Sequence, residues 1–87
     1  MQYYDELSAY LQKFIDKKIS INDNLFDIGL LNSFFIMQLI RYIESQFQIK
    51  IEHGDITRDN FKTIQKINCL IINKKTDQWY EVQRDSG

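Results

Sequence analysis

The chain has 87 residues, 26% of them charged, with a formal net charge of −1 and one cysteine. That length supports a single domain with one modest core. Interspersed charge without a basic stripe excludes a dedicated nucleic-acid binder, and a lone thiol excludes an internal disulfide or a cysteine-based metal site.

The basic pair Lys74-Lys75 is followed by Asp77 and Glu81. Cys69, among Ile67, Leu70 and Ile71, reads as a small core residue, and a reducing cytoplasm is the expected compartment. The start Met1-Gln2-Tyr3-Tyr4-Asp5-Glu6 lacks a positive segment followed by an apolar one, so no signal peptide is expected. The apolar runs Phe34 to Met37 and Cys69 to Ile72 are too short for a transmembrane helix.

In chain order, Leu7, Tyr10, Leu11, Phe14 and Ile15 recur at helical spacing and predict a first helix from about Tyr3 to Asp16. The connection from Lys17 to Asn32 is long for so small a domain. Its apolar residues (Ile19, Ile21, Leu25, Phe26, Ile28, Leu30 and Leu31) predict that it is ordered across the bundle. A second helix is predicted from Ser33 to Phe47, with Phe34, Met37, Ile40, Phe47 and either Ile36 or Ile43 in its inward stripe and Leu39 and Ile43 widening it. The alternating Gln48-Ile49-Lys50-Ile51-Glu52 reads as an extended connector whose isoleucines plug the core. Asp55 or Thr57 caps a short third helix through Asn60, Phe61 anchors it, and Thr63 caps a fourth with Ile64, Ile67, Leu70 and Ile71 inward. The fold class is therefore all-α, a four-helix bundle with a short third helix. Residues 1–73 form the domain, and residues 74–87 form a polar tail in which only Trp79, Tyr80 and Val82 are large and apolar.

Enzymatic parts are missing. His53, the only histidine, stands beside Gly54 in a polar loop and reads as an ordinary exposed residue. A serine–histidine pair needs a third group and an oxyanion hole, and Ser33 is not in a nucleophile-elbow sequence. Asp23, Asn24 and Asp27 lack the alternating ligand series of a calcium loop, so no metal is expected. The informative stretch is Asp27-Ile28-Gly29-Leu30-Leu31-Asn32-Ser33, leading into Phe34-Phe35-Ile36-Met37. It sets a hydroxyl at a helix mouth, where free amides and the positive end of the macrodipole favour a phosphate ester. The plainer alternative is that Ser33 is a helix cap, and Asn32 competes with it for that role. Of the neighbouring large apolar residues, Phe35 is expected to be exposed for docking, and Met37 to be core.

The chain from Leu25 to Ile72 resembles the acyl and peptidyl carrier protein superfamily. The resemblance rests on Asp27, Gly29 and Ser33, on Gln46-Phe47-Gln48-Ile49-Lys50-Ile51, and on Asp59-Asn60-Phe61-Lys62-Thr63-Ile64. It implies that a phosphopantetheinyl transferase moves 4′-phosphopantetheine from coenzyme A onto Ser33, with Asp27, Gly29 and Asn32 completing the motif. Cargo then rides as a thioester, loaded by an acyl- or aminoacyl-loading enzyme and used by downstream synthase or tailoring enzymes. The protein itself is then a non-catalytic monomer. Where the family usually has aspartate before the serine, this chain has Asn32. That departure and the run from Asn32 to Ile40 are similar to standalone carriers of polyketide and nonribosomal peptide pathways, including those for methoxymalonate. Gly29-Leu30-Leu31 and Arg58-Asp59-Asn60-Phe61 are similar to D-alanyl carrier proteins of teichoic acid modification. Phe34, Phe35, Gln38, Arg41 and Tyr42 are the expected partner-facing residues. An unmodified helical interaction module is the alternative from another class.

Overall fold

The computed structural model describes the backbone of residues 2–85 and the side chains of residues 2–77. Among the described residues there are four α-helices and no strand: α1 (Tyr4–Gln12), α2 (Ser33–Phe47), α3 (Arg58–Phe61) and α4 (Ile64–Asp85), with a 3-10 turn at His53–Asp55 before α3. No helix among the described residues is long and apolar enough to cross a membrane.

The core is a single cluster. Leu7 and Leu11 of α1, Phe35, Leu39, Ile40, Ile43 and Phe47 of α2, Phe61 of α3 and Ile64, Ile67, Leu70 and Ile71 of α4 converge with Ile19, Leu25 and Leu31 of the long connection. Ile49 and Ile51 are buried from the extended connector, as their alternation predicts. Side-chain caps start the last two helices where expected: Thr57 Oγ1 accepts the Asn60 N–H at 3.1 Å, and Thr63 Oγ1 accepts the Lys66 N–H at 3.0 Å.

Four expectations need correction. Helix α1 stops at Gln12, because the Gln12 side chain turns the chain back on itself. Its Nε2 donates to the Ile15 carbonyl at 3.0 Å, and its Oε1 accepts the Ile19 N–H at 3.2 Å. The inward stripe of α2 is rotated, with Phe35 buried while Phe34 and Met37 are exposed. Cys69 is exposed, and the inward position beside it belongs to Asn68, which is 2% exposed. Asn68 Oδ1 accepts the Tyr3 N–H at 2.7 Å and its Nδ2 donates to Gln2 Oε1 at 2.6 Å, so burial leaves no polar atom unmatched. Finally, the polar stretch from Lys74 continues α4 to Asp85. Trp79 and Tyr80 lie outside the described side chains.

Lys74 ties α4 to the turn before α3. Its Nζ stands 2.6 Å from Asp55 Oδ2, with the two side chains 15% and 22% exposed, and 3.6 Å from Glu52 Oε1. Burial alone would raise the Asp55 carboxyl. The Lys74 hydrogen bond, the Glu52 N–H and the Lys74 charge outweigh it and hold Asp55 below the usual carboxylate range. The hydrogen bond to Asp55 raises Lys74, against the opposing effect of burial.

The pair therefore stabilises the fold across a wide pH window. The Asp55 contribution is complete above its unfolded value of ~4 and is lost as pH falls through the lower folded value. The Lys74 contribution is complete below ~10.4 and is lost as pH rises through its raised folded value. Lys74→Met should cost ~1–3 kcal/mol at neutral pH. In urea melts from pH 2 to 7 it should also flatten the acid limb; an unchanged limb would show that Asp55 gains nothing from the pair.

Candidate functional site

The segment leading to Ser33 is braced from within and from behind. Leu25 is fully buried, and its N–H donates to the Lys62 carbonyl at the junction of α3 and α4, at 2.8 Å. Its own carbonyl accepts the N–H groups of Leu30 at 3.2 Å and Leu31 at 3.3 Å, closing the loop around one buried residue. Asn24 Oδ1 caps the intervening turn by accepting from Phe26 N at 3.0 Å and Asp27 N at 3.1 Å. Gly29 sits at φ +77°, a conformation that favours glycine, and its N–H reaches the Phe26 carbonyl at 3.1 Å. From outside, the Arg58 guanidinium lies 4.2 Å from the Phe26 ring centroid, and Gln65 N donates to the Ile21 carbonyl at 3.1 Å.

This frame delivers Asn32 and Ser33 in defined roles. Asn32 is extended (φ −126°, ψ 176°) and is the N-cap of α2. Its Oδ1 accepts the Phe35 N–H at 2.9 Å, and its carbonyl accepts the Ile36 N–H at 2.9 Å. Ser33 is the first helical residue and is exposed. Its hydroxyl, its amide and the Phe34 amide meet no partner among the described residues. The capping role that competes with a functional reading thus belongs to Asn32. The first turn of α2 contains no acidic residue, so nothing there competes with an incoming anion for the helix end. A phosphodiester on Ser33 fits this surroundings: an open hydroxyl, two free N–H donors and the positive end of a 15-residue helix. Asp27 and Gly29 lie exposed on the preceding turn.

The residues expected to face partners divide. Phe34 is 75% exposed and Met37 61% exposed, while Gln38 and Arg41 are also exposed. Phe35 is 8% exposed, with its ring 4.8 Å from that of Phe14. Tyr42 is half-buried, stacked on Tyr10 at 3.9 Å, and its hydroxyl donates to the Glu6 carbonyl at 3.2 Å. Phe35 and Tyr42 therefore join α1 to α2, and the expectation that they are presented to partners is corrected. The reason is helical phase: Phe35, Leu39 and Ile43 recur at i+4 toward the core, which turns Phe34, Gln38 and Arg41 outward. Met37 is the outward residue that sequence reasoning missed. His53 is exposed in the 3-10 turn, and among the described residues no cluster of His, Cys, Asp or Glu could hold a metal ion.

The fold thus holds the exposed Ser33 hydroxyl at the mouth of α2, with the cap supplied by Asn32. The model of the family described as a phosphopantetheine attachment site matches residues 5–67, and the chain belongs to that family. The matched domain is one for covalent attachment of 4′-phosphopantetheine. Over 47 residues it is 38% identical to D-alanyl carrier proteins of Streptococcus pyogenes, among them those of serotype M5 (strain Manfredo) and serotype M49 (strain NZ131). The match spans 54% of this chain and 60% of those proteins. The same fold occurs in a chain from the crystal structure of an FAD-dependent dehydrogenase, with a TM-score of 0.67 and 22% identity over 79% of this chain and 97% of that one.

Proposed function

We propose that Ser33 is the residue that receives 4′-phosphopantetheine and that the protein carries a biosynthetic acyl or aminoacyl group as a thioester on that arm. The observation that carries this reading is the division of labour at the mouth of α2: Asn32 supplies the cap, and the Ser33 hydroxyl stays exposed and uncommitted. In the transfer, Ser33 Oγ forms the new phosphate ester bond and the pyrophosphate link of coenzyme A breaks. Adenosine bisphosphate leaves, and the hydroxyl proton passes to a base on the transferase. Bound there, the arm supplies a terminal thiol for thioester chemistry. The chain contributes the braced loop and the free N–H donors of Ser33 and Phe34. A tethered cargo gains effective concentration at each partner enzyme.

Identity to D-alanyl carrier proteins supports an aminoacyl cargo. Asn32 in place of an acidic residue, and an α2 with only Arg41 and Glu44 charged, support a second reading as a dedicated polyketide or nonribosomal peptide carrier.

Intact mass after incubation with coenzyme A and a broad-specificity phosphopantetheinyl transferase should rise by one phosphopantetheine. Peptide mapping should place the addition between Asn32 and Arg41. An unchanged mass, where a control carrier is modified, overturns the proposal in favour of an unmodified interaction module. The mass of the loaded arm from the native host separates the two cargo classes.

A further inference from the structure

Helix α3 holds the loop before Ser33 at both of its ends. The carbonyl of Lys62, its C-cap, accepts the Leu25 N–H at 2.8 Å. Arg58, its first residue, sets its guanidinium 4.2 Å from the centroid of the Phe26 ring. Residues at i and i+4 share one face of a helix, so two adjacent loop residues are gripped from a single side. Phe61, between the two grips, is buried and pins α3 to the core. The turn that leads to Ser33 hangs from the gripped residues and from Asn24. The Phe26 carbonyl accepts the Gly29 N–H, the Leu25 carbonyl accepts those of Leu30 and Leu31, and the Asn24 carbonyl accepts that of Ile28. The Arg58 charge does not serve α3 itself, because a cation at the first helical position opposes the macrodipole. The carboxylate next to it, Asp59, pairs with Lys66 at 3.7 Å, and Arg58 has no ion pair among the described residues.

Resting on the reading of Ser33 as the attachment residue, we infer that Arg58 is a positioning residue for arm transfer. Through the Phe26 ring it holds the turn at Asp27 and Gly29, and with it Ser33, in the arrangement competent for transfer. Phe26 connects the two ends of this chain of cause. Its ring takes the cation on its face, and its carbonyl closes the turn in which Gly29 stands at φ +77°. Between that turn and Ser33, Leu30 and Leu31 are bound back to Leu25. A loop released by Arg58 spends more of its time in other shapes, and its apparent affinity for a transferase falls with the fraction that stays competent. Once bound, the loop is back in the competent shape, so the transfer step keeps its rate. The loss therefore falls on KM and not on kcat.

The test measures kcat and KM for arm transfer by a broad-specificity phosphopantetheinyl transferase to wild type, Arg58→Gln, Arg58→Lys, Phe26→Leu and the double variant Arg58→Gln/Phe26→Leu. Arg58→Gln should raise KM about 2- to 5-fold, the loss of an exposed cation–π contact, with kcat within about 1.5-fold of wild type. Arg58→Lys keeps a cation and should recover most of that loss. In the Phe26→Leu background, Arg58→Gln should change KM by less than about 1.5-fold, because the ring through which it acts is gone. Amide hydrogen exchange gives a readout apart from transfer. The Gly29 N–H should exchange about 2- to 5-fold faster in Arg58→Gln, while that of the fully buried Leu39 keeps its rate. Arg58 is exposed, so its replacement leaves the fold intact. A KM unmoved by Arg58→Gln overturns this inference alone. So does an equal rise in both backgrounds, which assigns Arg58 to direct contact with the transferase. No transfer to wild type, where a control carrier is modified, overturns the attachment reading and this inference together.

Discussion

Replacing Ser33 by alanine is expected to abolish the phosphopantetheine mass gain completely while leaving the melting temperature within about 2 °C of wild type. The first half follows from chemistry, since the methyl group offers no oxygen to phosphorylate. The second half follows from Asn32. A serine at a helix mouth ordinarily contributes by capping, and its loss then costs ~1 kcal/mol. Here the cap bond to Phe35 N comes from Asn32 Oδ1, and alanine is an excellent residue for the first helical position that Ser33 occupies. The companion variant Asn32→Ala should do the opposite. It should lose ~1 kcal/mol, or ~4–8 °C for a domain of this size, and still accept the arm on Ser33. Hydroxyls at the other helix starts are committed: Thr57 to Asn60 N and Thr63 to Lys66 N. A Ser33→Ala protein that still gained the arm would place attachment elsewhere. One that lost both arm and stability would return Ser33 to a structural role.

What the sequence disclosed depended on how local the cause was. The caps at Thr57 and Thr63, the αL-favouring Gly29 and the plugs Ile49 and Ile51 all follow from a few neighbouring residues, and each stands where the pattern puts it. The phase of α2 was not legible in this way. Phe34, Phe35, Ile36, Met37, Leu39, Ile40 and Ile43 wrap most of the helix, so periodicity defines no single inward direction. The direction is set by Tyr10 and Phe14, whose rings lie 6.3 Å and 4.8 Å from that of Phe35 and belong to a segment distant in sequence. Cys69 was misplaced for a related reason. An asparagine reads as outward until Gln2 and the Tyr3 N–H are seen to satisfy it inside. The continuation of α4 past its apolar stretch accompanies an ion pair between Lys74 and Asp55 that no periodic pattern encodes. At the site itself the motif residues were legible, but the assignment of capping to Asn32 and of exposure to Met37 needed the fold.

Phe35→Ala should destabilise the protein by ~3–4 kcal/mol, whereas Phe34→Ala, one residue away, should change stability by less than ~0.5 kcal/mol. Phe35 is 8% exposed and meets Phe14 edge-on and Tyr10 nearly stacked, so truncation leaves a cavity between α1 and α2 that the surrounding helices cannot fully close. Phe34 is 75% exposed, and its ring loses almost no contact with the protein when removed. Urea titration of both variants measures the difference directly as a midpoint shift at constant slope. A double-mutant cycle between Phe35 and Phe14 should further return ~0.5–1.5 kcal/mol of coupling from the edge-on ring pair. The two variants together fix the rotation of α2 about its axis. If Phe34 proved the costly loss and Phe35 the silent one, α2 would be turned by about 100° and Phe35 would be the exposed aromatic beside Ser33. Equal large losses would mean that α2 is enclosed on all sides. Only the asymmetric result is compatible with a helix that both anchors the core through Phe35, Leu39 and Ile43 and presents Ser33 beside an exposed aromatic.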